Sequence, residues 1–188
     1  MIADSQLALF LMLGQSAERA VRADPQLVPA QTLPISPSID IAESLPEVVS
    51  AANQAAEAYR LFFVFEAYLR ELIVEVLSND PAVPWWDKIP ADVRKAIGDL
   101  EETEETKSWR ALGTRDKSSL MTYPQLIRVI DECWKDGFVD LLRDKTLVQE
   151  ARALSHLRNT VAHMTPISDE EIERVRLTMR DWFRMVAP

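Results

Sequence analysis

The sequence is poor in glycine, cysteine and histidine, and each shortage closes off a class of answers. Four glycines in 188 residues (Gly14, Gly98, Gly113 and Gly137) leave few places for the tight turns that join β-strands, which points to helix. One cysteine, Cys133, excludes an internal disulfide and a multi-cysteine metal site, and it fits a reducing compartment. The two histidines, His156 and His163, stand seven apart with no third fixed ligand, below what zinc requires. No metal is therefore expected. Neither a glycine-rich phosphate loop nor a nucleophile-elbow serine occurs, and no cofactor is expected. The longest apolar run, "LALFLMLG" at residues 7–14, is far short of the roughly 20 residues that cross a bilayer. Asp4 stands where a signal peptide would carry positive charge. The expectation is a cytoplasmic protein with no membrane partner.

Positive charge is also in deficit. Thirty acidic residues face 21 basic ones, for a net charge of −9, which argues against avid non-specific binding to nucleic acid. The deficit is uneven. Residues 140–188 carry 8 charges of each sign, so the acidity lies in residues 1–139 and a local polyanion site in the last quarter remains open.

What the chain does have is helical periodicity. Residues 5–22 read as a first helix with Ser5 as N-cap. The stretch "ADPQLVPAQTLPISPSID", residues 23–40, holds four prolines and reads as an extended connection, because proline fixes φ and lacks an amide donor. The expected division is an N-terminal helical arm and connection, residues 1–43, followed by a helical domain, residues 44–188. The main helix starts near Ser44, with Ser44 and Glu47 at capping-box spacing, and runs to about Ser78. Its apolar stripe is Ala52, Ala55, Tyr59, Phe62, Phe65, Leu69, Leu72 and Val76. Further helices are expected at 91–106, 123–135 and 146–162. The last helix has the clearest start: Ser168 to Glu171 has capping-box spacing, and Ile167 with Ile172 forms the flanking apolar staple. No period-two run is long enough for a confident strand. The fold class is all-α, an up-and-down bundle of four or more helices.

Within that frame the run "HLRNTVAHMTPIS", residues 156–168, draws interest because it gathers both histidines with Arg158 and Asn159. Histidine can take a proton from a ribose 2′-hydroxyl or give one to a leaving oxygen, and arginine can stabilise charge on a phosphorane-like transition state. Asparagine can orient either group. This set suits metal-independent RNA cleavage, though an Arg and a His five apart also arise by chance at a polar helix end. On a straight helix they point about 140° apart. Either the helix unwinds near His163, or a second copy of the chain supplies the partner group. Arg158 lies close to the apolar stripe and calls for a carboxylate. Glu66 is a candidate, although Glu66 could instead pair with Arg70 one turn on in its own helix.

The remaining features have plainer readings. Arg176, Arg180 and Arg184 form an i, i+4, i+8 stripe that could steer RNA phosphates or simply face solvent. Trp85 and Trp86 could stack bases, with core or interface packing as the alternative. His156 reads as a surface or hydrogen-bonded helix residue, and Cys133 as a small core residue.

The motif "RNTVAH" resembles the hallmark of the HEPN superfamily: Arg, a following polar residue, and His after a short gap at the end of a late helix. "FEAYLRELI", residues 65–73, is similar to the superfamily's early-helix pattern, and "LIRVIDECWKDGF", residues 126–138, precedes the motif as in relatives. The resemblance spans roughly residues 44–186. It implies a homodimer whose two motifs meet in a cleft at the two-fold axis. It further implies a metal-independent endoribonuclease acting on RNA, with Arg158 and His163 catalytic, Asn159 assisting and Glu66 supporting Arg158. A toxin, phage-defence or stress role follows, with an antitoxin or other regulatory protein as a possible partner. The same fold also serves as a non-catalytic interaction or nucleotide-binding module, and the acidic balance is the feature that favours that alternative.

Overall fold

The computed structural model describes residues 32–106 and 116–186, together with residues 13, 14, 16 and 17, which are helical. The rest of the expected 5–22 helix lies outside the described residues. The chain divides into two compact units, residues 1–51 and 52–188.

In the first unit the described part of the proline-rich connection, residues 32–40, holds more regular structure than its composition suggests. Pro34–Ser36 (β1) and Ile39–Asp40 (β2) pair antiparallel with an irregular register. This small hairpin was not expected from the sequence. A proline in a two-stranded ribbon is tolerated because an edge position requires no amide donor. Asp40 closes the hairpin by accepting from the Leu33 amide at 2.8 Å and caps the short helix α1 (Ile41–Ser44) by accepting from the Ala42 amide at 2.9 Å. Ser44 is therefore the last residue of α1 and not the N-cap of the long helix, which begins after Leu45. The expected Ser44–Glu47 capping box is corrected accordingly. Helix α2 spans Pro46–Ser78, with proline in its first turn, where the amide would be unsatisfied anyway. At 1.5 Å per residue it is about 50 Å long, and the unit boundary falls within it.

The second unit is all helix among the described residues. After α2 come a 3₁₀ turn at Trp85–Lys88 and α3 (Ala91–Glu105). A second 3₁₀ turn at Lys117–Leu120 and α4 (Tyr123–Glu132) follow. Then come a third 3₁₀ turn at Trp134–Asp136, α5 (Phe138–Leu142), α6 (Thr146–Ala153), α7 (Ser155–Ala162) and α8 (Asp169–Val186). Helix α5 went unforeseen, since five residues carry too little periodicity to show. The expected 146–162 helix is two helices. Its break lies at Leu154, whose amide bonds to Ala151 O at 3.1 Å in a tightened turn. The capping box of α8 forms as expected: Ser168 N donates to Glu171 Oε2 at 3.0 Å, and Glu171 N donates to Ser168 Oγ at 3.3 Å.

One core holds these helices. The inner face of α2 supplies Phe62, Phe65, Leu69, Ile73 and Leu77. Two aromatic side chains set how α6 sits on it. Tyr123 is fully buried, meets Phe62 edge-on at 5.7 Å, and donates its hydroxyl to Ala151 O at 2.7 Å. Trp182 of α8 meets Phe65 edge-on at 5.7 Å and donates Nε1–H to Leu147 O at 3.2 Å. Each ring thus satisfies its one polar group on a carbonyl of α6, which lets it be buried without an orphaned donor. Trp85 and Trp86 pack against the same core, and Lys117 Nζ lies over the Trp86 ring at 4.8 Å, so both tryptophans take the packing role. Cys133 is buried and donates to Lys88 O at 3.3 Å, and burial pushes its thiol pKa up to about 11. It is an inert core group.

Candidate functional site

The site begins with a carboxylate in the core. Helical spacing puts Glu66 between Phe62 and Leu69 on the inner side of α2, only 6% exposed. A carboxylate this deep must be matched by donors, and two arginines meet it. Arg158 Nε donates to Oε1 at 2.7 Å, and Arg70 Nη2 donates to Oε2 at 2.7 Å. The two alternatives for Glu66 therefore hold together, one oxygen for each guanidinium. Arg70 is anchored further, with Nε donating to Ser118 O at 3.1 Å and Nη2 to Met121 O at 3.3 Å. Helix α2, the 118–121 turn and α7 are thereby linked through one ion cluster.

This arrangement leaves Arg158 half committed. Among the described residues its side chain makes one hydrogen bond, through Nε, so both terminal nitrogens stay free while the side chain is 29% exposed. Arg158 also lines a cavity of about 90 Å³, together with Tyr59, Phe62, Phe63, Glu66, Val161 and Ala162. Liquid water occupies about 30 Å³ per molecule, so the cavity admits a few waters and not a nucleotide. Binding pockets for drug-sized molecules run to roughly 300–1,000 Å³.

The histidine lies elsewhere on the same helix. His163 is the C-cap of α7, with φ −88° and ψ 18°, and its amide bonds to Asn159 O at 3.1 Å and Thr160 O at 3.2 Å. Met164 follows with φ 59°. The Met164 amide bonds to Val161 O at 3.0 Å and the Thr165 amide to Thr160 O at 3.2 Å, which is a Schellman ending. Helix geometry is thus kept up to the imidazole, and the unwinding that could have swung it toward Arg158 does not occur. Asn159 and His163 are exposed, neither walls the Arg158 cavity, and neither side chain has a hydrogen bond among the described residues. One chain presents the two halves of the motif on different sides of α7.

The other singled-out residues are placed as follows. His156 is exposed, and its Nδ1 lies 2.6 Å from Ala153 O, so that nitrogen carries the proton. The arginine stripe on α8 is engaged by carboxylates. Arg176 pairs with Glu57 and with Glu173, the latter at 3.2 Å, and Arg180 pairs with Asp181 at 3.0 Å. Arg184 reaches Asp181 at 4.0 Å. No group of acidic, histidine or cysteine side chains able to hold a metal occurs among the described residues.

These positions coincide with a known domain. A family model described as Swt1-like HEPN matches residues 60–187. The chain belongs to the Swt1-like HEPN family. The match takes in Glu66, Arg70, Arg158, Asn159 and His163, and it leaves out the hairpin and α1. Comparison with curated proteins and with solved structures returns no significant match. No described helix of this HEPN chain is long and apolar enough to cross a membrane.

Two features of the HEPN site had little trace in the sequence. The anchoring of Arg70 on Ser118 and Met121 joins residues 48 and 51 positions apart, which no local pattern reveals. The buried phenol of Tyr123 carries no local signal either. Burial, with the charge of Glu66 nearby, pushes its pKa far above the ordinary tyrosine value, so it serves as a neutral hydrogen-bond donor.

Proposed function

We propose that this HEPN domain is a metal-independent endoribonuclease whose active cleft forms between two copies of the chain. The observation that carries the proposal is Arg158. Its Nε is fixed by a buried carboxylate while its two terminal nitrogens make no hydrogen bond among the described residues, and the residue lines a cavity, a disposition suited to binding a phosphate group. His163 of the second copy completes the set. It accepts the proton of the ribose 2′-hydroxyl, the 2′-oxygen attacks phosphorus, and the bond to the 5′-oxygen breaks. The leaving oxygen takes a proton from an acid, the second His163 in its protonated form being one source. The products are a 2′,3′-cyclic phosphate and a 5′-hydroxyl. Arg158 lowers the barrier by binding the non-bridging oxygens as charge builds on them, and Asn159 orients the imidazole or the phosphate.

Three observations support a shared cleft. The single-chain cavity is too small for a nucleotide. Arg158 and His163 do not converge within one chain. Exposed apolar groups also surround the motif: Tyr59 at 59%, Phe63 at 62% and Met164 at 86% exposure, a surface suited to a second copy. A cytoplasmic toxin, phage-defence or stress role restrained by an antitoxin or similar regulator fits such an enzyme.

A second reading, a non-catalytic interaction module, is favoured by the carboxylate pairing along the Arg176–Arg184 stripe, which offsets the charge that this stripe would offer RNA. One assay separates the two. Purified protein and His163→Ala are incubated with structured RNA in excess EDTA. The enzyme reading expects cyclic-phosphate ends from the wild type and a loss of rate of at least 10³-fold in the variant, the scale on which a removed acid–base group and its partner act. Intact RNA with the wild type across varied substrates would overturn it in favour of the module. Light scattering checks the cleft, and a strict monomer at high concentration would refute it.

A further inference from the structure

A second groove in the second unit has no part in the site above. It holds about 590 Å³ between α2, α5 and α8 and shares no wall residue with the Arg158 cavity. Its floor is apolar. The Tyr68 and Phe183 rings pack with centroids 4.7 Å apart, flanked by Leu72, Val76, Leu141 and Val186. Its depth depends on Gly137, which has φ 126° and lies against Val76, so that a Cβ placed there would come within 2.9 Å of Val76 Cγ1. Only glycine allows that approach.

The rim is of one sign. Glu71, Glu75 and Asp140 border the groove, and neither lysine nor arginine does. None of the three forms an ion pair among the described residues. Some carboxylates elsewhere in this unit are matched, Glu66 by two arginines, Asp131 by Lys145 and Arg152, and Glu57 by Arg176, and others such as Glu102 and Glu150 are scattered singly, so the distinction of these three is that they share one apolar groove. Glu71 and Glu75 are also one turn apart on α2, where like charges repel. The hydroxyl of Tyr68, at the groove, is buried without a hydrogen-bond partner. An apolar floor of this size with three unmatched carboxylates on its rim is complementary to one kind of surface.

We infer that this groove docks a basic amphipathic segment of a partner protein, whose apolar side chains seat on Tyr68, Leu72 and Phe183 while its arginines or lysines pair with Glu71, Glu75 and Asp140. This is the helix-in-groove mode of recognition, with apolar anchors for affinity and charge for orientation. It is independent of whether the domain cuts RNA.

The test uses the full chain and a short fluorescein-labelled helical peptide of leucine and arginine, with leucines at i, i+3, i+4 and i+7, read by anisotropy. Two control peptides replace every arginine by glutamate or every leucine by serine. The leucine–arginine probe is expected to bind, and both controls are expected to bind at least ten-fold more weakly. The Glu71→Lys/Glu75→Lys double variant should weaken binding of the probe at least ten-fold, and the conservative Asp140→Asn several-fold, each with unchanged far-ultraviolet circular dichroism. Should the double variant fail to fold, Asp140→Asn decides the matter alone. Glu150→Lys, an exposed reversal away from the groove, should change binding less than two-fold. Equal weakening by Glu150→Lys would mean that the net charge of −9 attracts the probe non-specifically, and the inference falls. It falls equally if the serine control binds as well as the probe, if the probe does not bind, or if probe binding only reports a second copy of the chain leaving the groove.

Discussion

The substitution Glu66→Gln tests the center of this structure. The glutamine amide is nearly isosteric with the carboxylate, so packing is kept and only the charge and one acceptor are lost. Two guanidiniums now share one neutral oxygen, and the amide nitrogen opposes the donors of the other. Breaking a fully buried ion pair by removing one partner costs about 3–5 kcal/mol. Here the cost is smaller for two reasons. Arg70 and Arg158 remain 22% and 29% exposed and can be hydrated, and Arg70 keeps the carbonyls of Ser118 and Met121. The expected loss is about 2 kcal/mol. For a chain of this length that lowers the thermal midpoint by roughly 4–8 °C.

Urea unfolding is the direct assay, with the midpoint shifting at constant m-value. A double-mutant cycle apportions the loss. Glu66→Gln combined with Arg158→Met, and separately with Arg70→Met, should show couplings of about 1 kcal/mol each, since the residues are in contact. A destabilisation below about 0.5 kcal/mol, or additivity within the usual error of about 0.3–0.5 kcal/mol, would refute the claim that one carboxylate holds both arginines. A midpoint shift accompanied by a changed m-value would indicate a rearranged core and refute the isosteric premise.

Two further outcomes follow from the described geometry. Met164 occupies the left-handed position of the Schellman ending with φ 59°, where a β-carbon is strained and glycine is favoured. Met164→Gly should therefore raise stability by roughly 0.5–1 kcal/mol, seen as a higher melting temperature. A lower one would show that the exposed methionine makes contacts that outweigh the strain. Asp131 accepts from Lys145 Nζ and Arg152 Nη2 at 2.7 and 2.6 Å, and these bonds, led by that from Lys145, hold its pKa below the usual carboxylate range. A depressed folded-state pKa stabilises above the unfolded value of about 3.9, and that stabilisation is lost as pH falls through the folded value. Asp131→Asn should then cost about 0.5–1 kcal/mol at pH 7, discounted for the exposure of both cations, with the gap to wild type narrowing as pH falls below the unfolded value and closing once it has passed the depressed folded value. A gap independent of pH would refute it.

The helices that were legible in the sequence are those whose signals are local. The Ser168–Glu171 box and the apolar stripe of α8 belong to one turn or one face, and both appear as expected. The stripe of α2 from Phe62 onward was equally plain, because Phe62, Phe65 and Leu69 repeat at three and four, whereas Ala52 and Tyr59 of the expected stripe are exposed. What was hidden depended on distant partners or on short runs. The break at Leu154 reflects the seating of α6 under Tyr123 and Trp182, which act from α4 and α8. Helix α5 holds only five residues. The hairpin at residues 34–40 is closed by Asp40, whose carboxylate bonds to Leu33 seven residues earlier, while the prolines masked it. At the site, the pairing of Glu66 with Arg158 could be suggested because a guanidinium near an apolar stripe needs an anion. That Arg70 shares the same carboxylate could not be chosen over the alternative without coordinates.

The cluster also bears on how an acidic protein could act on RNA. A long-range positive field is not available to it. The net charge is −9, and Arg176, Arg180 and Arg184 of α8 each have a carboxylate within 4.0 Å. Attraction must then come from contacts made after encounter, and these depend on groups held in place beforehand. Arg70, Arg158 and Glu66 together carry one net positive charge per chain, concentrated at the cavity with the free nitrogens of Arg158. Two chains facing across a two-fold axis would bring two such charges to one cleft and place a His163 from each beside them. The same symmetry would answer the directional problem on α7. The roughly 140° between residues 158 and 163 separates them within a chain, and a second copy can supply from outside what the helix turns away. Precise anchoring of Arg158 by a buried carboxylate then has a physical purpose: it fixes the guanidinium without consuming the fork that would grip a phosphate.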